Sequence, residues 1–189
     1  MDQFDSPHWF LDMARYFRTF GFFESVPPTE EGITESIKSY WGNDWRDYLA
    51  RVSDRAAADQ WLLVADTKRV WWHDLEGVYP GANYYAEVLE EWSAISRGQF
   101  FPEQVQEVWH SNHGPAEVTF ILGGNSHTFI HQSGDYMEHG ILQLINQNLL
   151  NRTFGFEVAT DYGDSNWITM LSPDEKQRLQ IERGWHFLS

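Results

Sequence analysis

The sequence predicts an α+β fold, a mainly helical N-terminal third followed by antiparallel hairpins packed with amphipathic helices. Three observations carry this expectation. Apolar residues recur at helical spacing through the first 65 residues. In "AEVTFILGGNSHTFIHQ", two alternating runs flank Gly123-Gly124-Asn125, a turn sequence suited to a tight hairpin. Finally, the helical stripes are segregated from the hairpins along the chain, which is the α+β pattern. The 189 residues are read as a single domain over 1–189, with a helical segment over 1–65 and an α+β body over 66–189 as its parts.

The elements follow in order. Ser6-Pro7 reads as a helix start, a hydroxyl cap followed by Pro at the first helical position. Phe10, Ala14, Phe17 and Phe20 continue it, and Gly21 is a natural stop. After the connector "ESVPPTEEG", Thr29 is a second cap. Ile33, Ile37, Trp41, Trp45 and Leu49 form a stripe that Gly42-Asn43 should break. Asp54 caps a helix through "RAAADQWLLVA". "KRVWWHDLE" is a strand candidate by its Val-Trp-Trp content, and "GVYPGAN" is a loop. Residues 83 to 96 place Tyr85, Val88, Leu89, Trp92 and Ile95 on one helix side and Glu87, Glu90 and Glu91 on the other. "SRGQFFPEQ" reads as a connector. Met137, Ile141, Leu144, Ile145 and Leu149 form a stripe opposite Glu138, Gln143, Asn146 and Gln147, which read as a solvated face. "FGFEVATDYGDSNWITML" reads as a strand pair turning near Gly163-Asp164. Ser172-Pro173 starts a last helix with Asp174 and Glu175 at its positive end.

Composition bounds the function. There is no cysteine, so disulfides and thiolate metal sites are excluded. No apolar run approaches the ~20 residues of a membrane helix, and the N-terminus carries acids where a secretory signal has bases. Twenty-eight acids against 13 Lys plus Arg give a formal net charge of −15. Nucleic-acid binders need cationic faces, so nucleic acid and membrane surfaces are not expected partners. A basic protein partner is, because such a field steers oppositely charged proteins. The 10 tryptophans, 8 tyrosines and 13 phenylalanines supply both core and interface anchors.

Candidate chemistry centres on "VWWHDLEG", residues 70 to 77. On a strand, Val70, Trp72, Asp74 and Glu76 share one face, and Trp71, His73 and Leu75 the other. Asp74 and Glu76 would lie about 7 Å apart. Such a pair with Trp72 as a platform fits a carbohydrate-active hydrolase. The preferred reading is an acidic strand end that holds the loop over residues 77–83 by accepting amide hydrogens. His110, His113, His127, His131 and His139 fall within thirty residues. Yet His127 and His131 are ~13 Å apart along a strand, too far for one zinc ion, so no metal and no cofactor are expected. The hairpin instead sets His127 and His131 beside Val118, Phe120 and Phe129 as packing residues. There is no nucleophile elbow, phosphate loop or dinucleotide fingerprint. Glu30, Glu31 and Glu35 form one acidic region, and Glu157, Asp161 and Asp164 another.

"WWHDLEGVYPGANYYAEVLEEWSAISRGQFFPEQVQEVW", a hairpin, "YMEHGILQLINQNL" and "WITMLSPDEKQRL" together resemble a class of bacterial proteins of unassigned function, some of which look like immunity proteins of toxin systems. The resemblance covers residues 70 to 183 and lies in a pattern of aromatics, hairpin and Asn-bearing helix. It implies a cytosolic acidic protein that binds and blocks a toxin, and it transfers no site residues. The combined expectation is a non-catalytic binding module that occludes a basic toxin. Its binding residues would be Trp72, Asp74, Glu76, Glu157, Asp161 and Asp164. The alternative is hydrolysis by Asp74 and Glu76. The sequence leaves the oligomeric state open.

Overall fold

The computed structural model describes residues 8–49, 51–52, 54–132, 134–149, 153–161 and 165–188, the side chains at 48, 160 and 161 excepted. In chain order the elements are α1 (Trp9–Arg18), α2 (Glu30–Trp41), α3 (Trp45–Leu49), α4 (Arg55–Leu63), β1 (Val70–Asp74), α5 (Tyr84–Ile95), β2 (Glu103–Trp109), β3 (Ala116–Leu122), β4 (Asn125–His131), α6 (Gly140–Asn148), β5 (Gly155–Asp161), β6 (Ser165–Leu171) and α7 (Pro173–Arg183). The fold is α+β, with two three-stranded sheets ordered β1-β6-β5 and β2-β3-β4. Among the described residues no helix is long and apolar enough to cross a membrane.

The chain divides into two compact units, Met1–Val70 with Asp174–His186, and Trp71–Pro173 with Phe187–Ser189. The first is helical. The expected Ser6-Pro7 start lies outside the described residues, and α1 buries Phe10, Ala14 and Phe17. Phe20 is also buried, but beyond the helix end, in the turn that closes at Gly21 with φ +80°. A side chain at Gly21 would place its Cβ 2.7 Å from Arg69 Nη1 and would have to displace that guanidinium, besides adopting a backbone angle that favours glycine. Thr29 accepts the Gly32 amide and Asp54 the Ala57 amide, at 3.1 and 2.8 Å. Gly42, with φ +78°, separates α2 from α3 as its position suggests.

Charged groups are buried inside this unit, and each is bonded. Arg183 Nε donates to Asp59 Oδ2 at 2.6 Å, its Nη2 donates to Oδ1, and Trp185 Nε1 donates to Oδ2 at 3.2 Å. Burial pushes the Asp59 carboxyl up, while the Arg183 guanidinium and the Trp185 N–H oppose the shift. Asp66, also pushed up by burial, accepts the amide of Phe23 at 2.5 Å. Phe23 has φ +55°, a conformation an aromatic residue adopts only when its surroundings impose it. Arg69 donates to Phe20 O at 3.0 Å and stands over the Phe22 ring.

The second unit is built around an apolar core. The expected face of α5, Tyr85, Val88, Leu89, Trp92 and Ile95, is wholly buried. It meets Val118, Phe120 and Leu122 of β3, Ile141, Leu142 and Ile145 of α6, and Phe156, Ile168 and Met170 of β5 and β6. The β3–β4 hairpin runs in register from Leu122↔Asn125 to Ala116↔His131. Its loop is Gly123-Gly124, both at positive φ, as a two-residue turn matched to strand twist requires.

Two features differ from expectation. β2 occupies residues that include the end of the expected connector "SRGQFFPEQ". Its pattern was masked because Glu107 takes a half-buried position. There it accepts the Tyr85 amide at 2.9 Å and the Trp109 Nε1–H at 2.7 Å. Glu107 thus serves the first turn of α5, whose own cap residue, Asn83, makes no side-chain cap bond. On α6, Asn146 was expected on the solvated side. Instead its side chain donates to Phe156 O at 2.9 Å and accepts Phe156 N at 2.8 Å, tying the helix to β5.

Candidate functional site

β1 enters the second unit with Trp71 in the core, its Nε1 donating to Glu91 Oε2 at 2.6 Å and its ring stacked on His73 at 5.0 Å. Strand alternation then turns Trp72 and Asp74 to the opposite face, where Trp72 is half-buried and Asp74 exposed. Beyond the strand, Leu75 and Val78 are buried and act as two anchors. Between them the backbone bridges to residues 135–137. Glu76 pairs with Tyr136, Gly77 N and Val78 N both donate to Asp135 O, and Met137 N donates to Leu75 O. The Tyr84 hydroxyl closes the other side, donating to Asp74 O at 3.0 Å.

This stitching forms a lip with a defined outer surface. Asp74, Glu76 and Asp135 are exposed, with Tyr79 and Tyr136 at 58% and 45%. Tyr136 donates to Glu76 Oε1 at 2.5 Å, and Asp74 Oδ1 accepts the Glu76 amide at 3.4 Å. The two carboxylates therefore orient the lip, one through the neighbouring amide and one through a phenol from across the bridge. Burial, and then the charges of Asp74 and Glu91, push the Tyr84 phenol up to about 12. Its hydroxyl stays a donor throughout the neutral range. Chemically the lip offers carboxylate acceptors beside phenol faces, a combination suited to guanidinium and ammonium groups.

The other candidate residues fall in different places. Glu157 lies on β5, at the far side of β6 from β1, half-buried and paired with Thr169. Alternation puts it on the same face of that sheet as Trp72 and Asp74, since Trp71, Phe156 and Ile168 supply the core face. The strand separation is about 10 Å. Asp161 ends β5, but its side chain lies outside the described residues, as does all of Asp164 with the expected Gly163-Asp164 turn. Tyr79, Asp135 and Tyr136 were not singled out from sequence. The signal that marks them is weak: each stands in a glycine-bearing loop, and only the bridge brings the loops together.

The histidines are spread over separate environments. His127 sits opposite Phe120, with ring centroids 5.6 Å apart. His131 is fully buried, its Nδ1 3.0 Å from the Tyr85 hydroxyl and 3.1 Å from Glu138 Oε1, its Nε2 3.1 Å from Gly134 O. His139 contacts Asn166, and His110 lies 4.0 Å from Glu117. Among the described residues no group of three or more His, Asp or Glu side chains is placed to hold a metal ion.

No protein-family model matches the chain, and no curated protein or solved structure matches it.

Proposed function

We propose that the chain is a non-catalytic protein-binding module, an immunity-type inhibitor acting in the cytosol by occluding a basic toxin. The observation that carries this reading is the lip: three exposed carboxylates and two exposed tyrosines held by a backbone bridge, in a chain of net charge −15. The field accelerates encounter with a cationic protein. The lip then takes the partner's Arg and Lys side chains, with Tyr79 and Tyr136 as aromatic anchors. Trp72 and Glu157 lie on a sheet face that is buried along β6 at Trp167 and Thr169, so that face adds nothing to the surface, while Asp161 and Asp164 add formal charge to the chain.

Co-expression with the product of the adjacent open reading frame tests the proposal. The expected result is relief of that product's toxicity and a co-purifying complex that weakens when Asp74→Asn and Glu76→Gln are combined. Toxicity unrelieved by the wild-type chain, with no complex formed, would overturn it.

A further inference from the structure

Every open sheet exposes a row of unpaired N–H and C=O groups at each edge, and stable proteins block those edges. Among the described residues the second unit has four such edges, and three are blocked. On β2 the register shifts between Glu103 and Gln106, with Gln104 at φ +51°, so the edge is bulged and starts on a charge. β1 spans five residues, ends on Asp74 and continues into the Glu76↔Tyr136 bridge. β5 is covered by the C-terminal segment through the Ala159↔Phe187 bridge and the Leu188 N to Val158 O bond of 2.9 Å.

The fourth edge, β4, has no such device. It stays in register with β3 through all seven residues, without bulge, proline, Asp, Glu, Lys or Arg. Its two-residue loop makes Leu122↔Asn125 a hydrogen-bonded pair, so the bonds to β3 alternate through His127, Phe129 and His131. The N–H and C=O of Ser126, Thr128 and Ile130 therefore point away from β3. All three residues are exposed, and among the described residues no strand pairs with β4 on that side.

Charge decides the occupant. β4 and α6 contact one another and together contain no Asp, Glu, Lys or Arg, although 28 acids and 13 bases are spread through the chain. A cationic partner finds no carboxylate on β4 or α6 themselves, the nearest acids being Glu117, paired with Ile130, and Glu138, bonded to Gln132 N. A second copy of the chain, repelled elsewhere by its own −15, meets least repulsion there. We infer that β4 is a self-association edge, pairing antiparallel with β4 of a second copy about a two-fold axis at Thr128. Ser126 then lies opposite Ile130 of the second copy, and Thr128 opposite its own equivalent, a favourable cross-strand pair. The two three-stranded sheets become one of six strands. Added salt screens the residual repulsion and strengthens this dimer. The complex with a cationic partner responds to salt in the opposite direction, which keeps the two proposals separable.

Sedimentation equilibrium of the full chain, at rising protein concentration and at low and high salt, tests the inference. The expected result is a monomer–dimer equilibrium that tightens with salt. Thr128→Asp and Thr128→Lys should each weaken it several-fold, because each sets like charges directly opposite one another. An equimolar mixture of the two variants should restore association. Circular dichroism of each variant checks that it is folded. A chain that stays monomeric at every salt concentration would overturn the inference. So would a dimer indifferent to both variants, or variants whose mixture associates no better than either alone.

Discussion

The two units bury polarity in opposite ways. The helical unit encloses Asp59, Asp66, Arg69 and Arg183, each bonded to a partner fixed by the fold. The two-sheet unit encloses apolar side chains, with Ser96, His131, Asn166 and Thr169 as the buried polar residues among those described. A buried ion pair adds little net stability against a well-packed apolar alternative, but it penalises any arrangement that separates the partners. Charge therefore specifies the helical unit, where short helices offer many ways to pack. Strand register and a continuous apolar core specify the other.

The largest expected effect comes from breaking that specification. Arg183→Met leaves Asp59 buried without its cation and should cost about 3–5 kcal/mol, read as a lower urea midpoint with loss of amide protection in α4 and α7. Combining it with Asp59→Leu should recover much of the loss, since no buried charge then remains. If the double variant is as unstable as the single, the pair is not what specifies the unit. On the other side, Asn146→Ala strips the bonds to both Phe156 backbone groups and should cost about 1–3 kcal/mol, with fast exchange appearing at the start of β5. Asp54→Ala removes a cap from α4 and should cost about 1 kcal/mol, measurable as a shift in thermal midpoint.

The last effect shows only in alkali. The Tyr84 phenol is raised in the folded chain, so the unfolded chain loses that proton first. Stability from this group is complete below pH 10 and is lost as pH rises toward about 12. Tyr84→Phe should flatten the fall of stability across that window. An unchanged slope would mean that the hydroxyl is not protected by its surroundings.

What the residues alone disclosed follows the range of the interactions. Thr29 and Asp54 were legible as caps because a cap acts within three residues, and Gly123-Gly124 was legible as a turn for the same reason. The α5 stripe was legible because one side of a helix repeats regularly. β2 was hidden by Glu107, whose half-buried position reflects a bond to Tyr85, and by a bulge that shifts its phase. The Asp59–Arg183 pair spans 124 positions, and no local pattern announces it. Asp74 and Glu76 stood out in the candidate site, but Tyr136 reaches Glu76 across 60 positions, so the aromatic half of the lip was invisible.

The central claim is that exposed carboxylates at this lip receive a cationic protein. Stopped-flow association of the chain with a cationic protein captured from its host, followed against ionic strength, tests it most directly. The account predicts a rate constant that falls steeply with salt, and a shallower dependence for the Asp74→Asn, Glu76→Gln double variant. An association rate indifferent to salt, or a double variant with the wild-type slope, would contradict it.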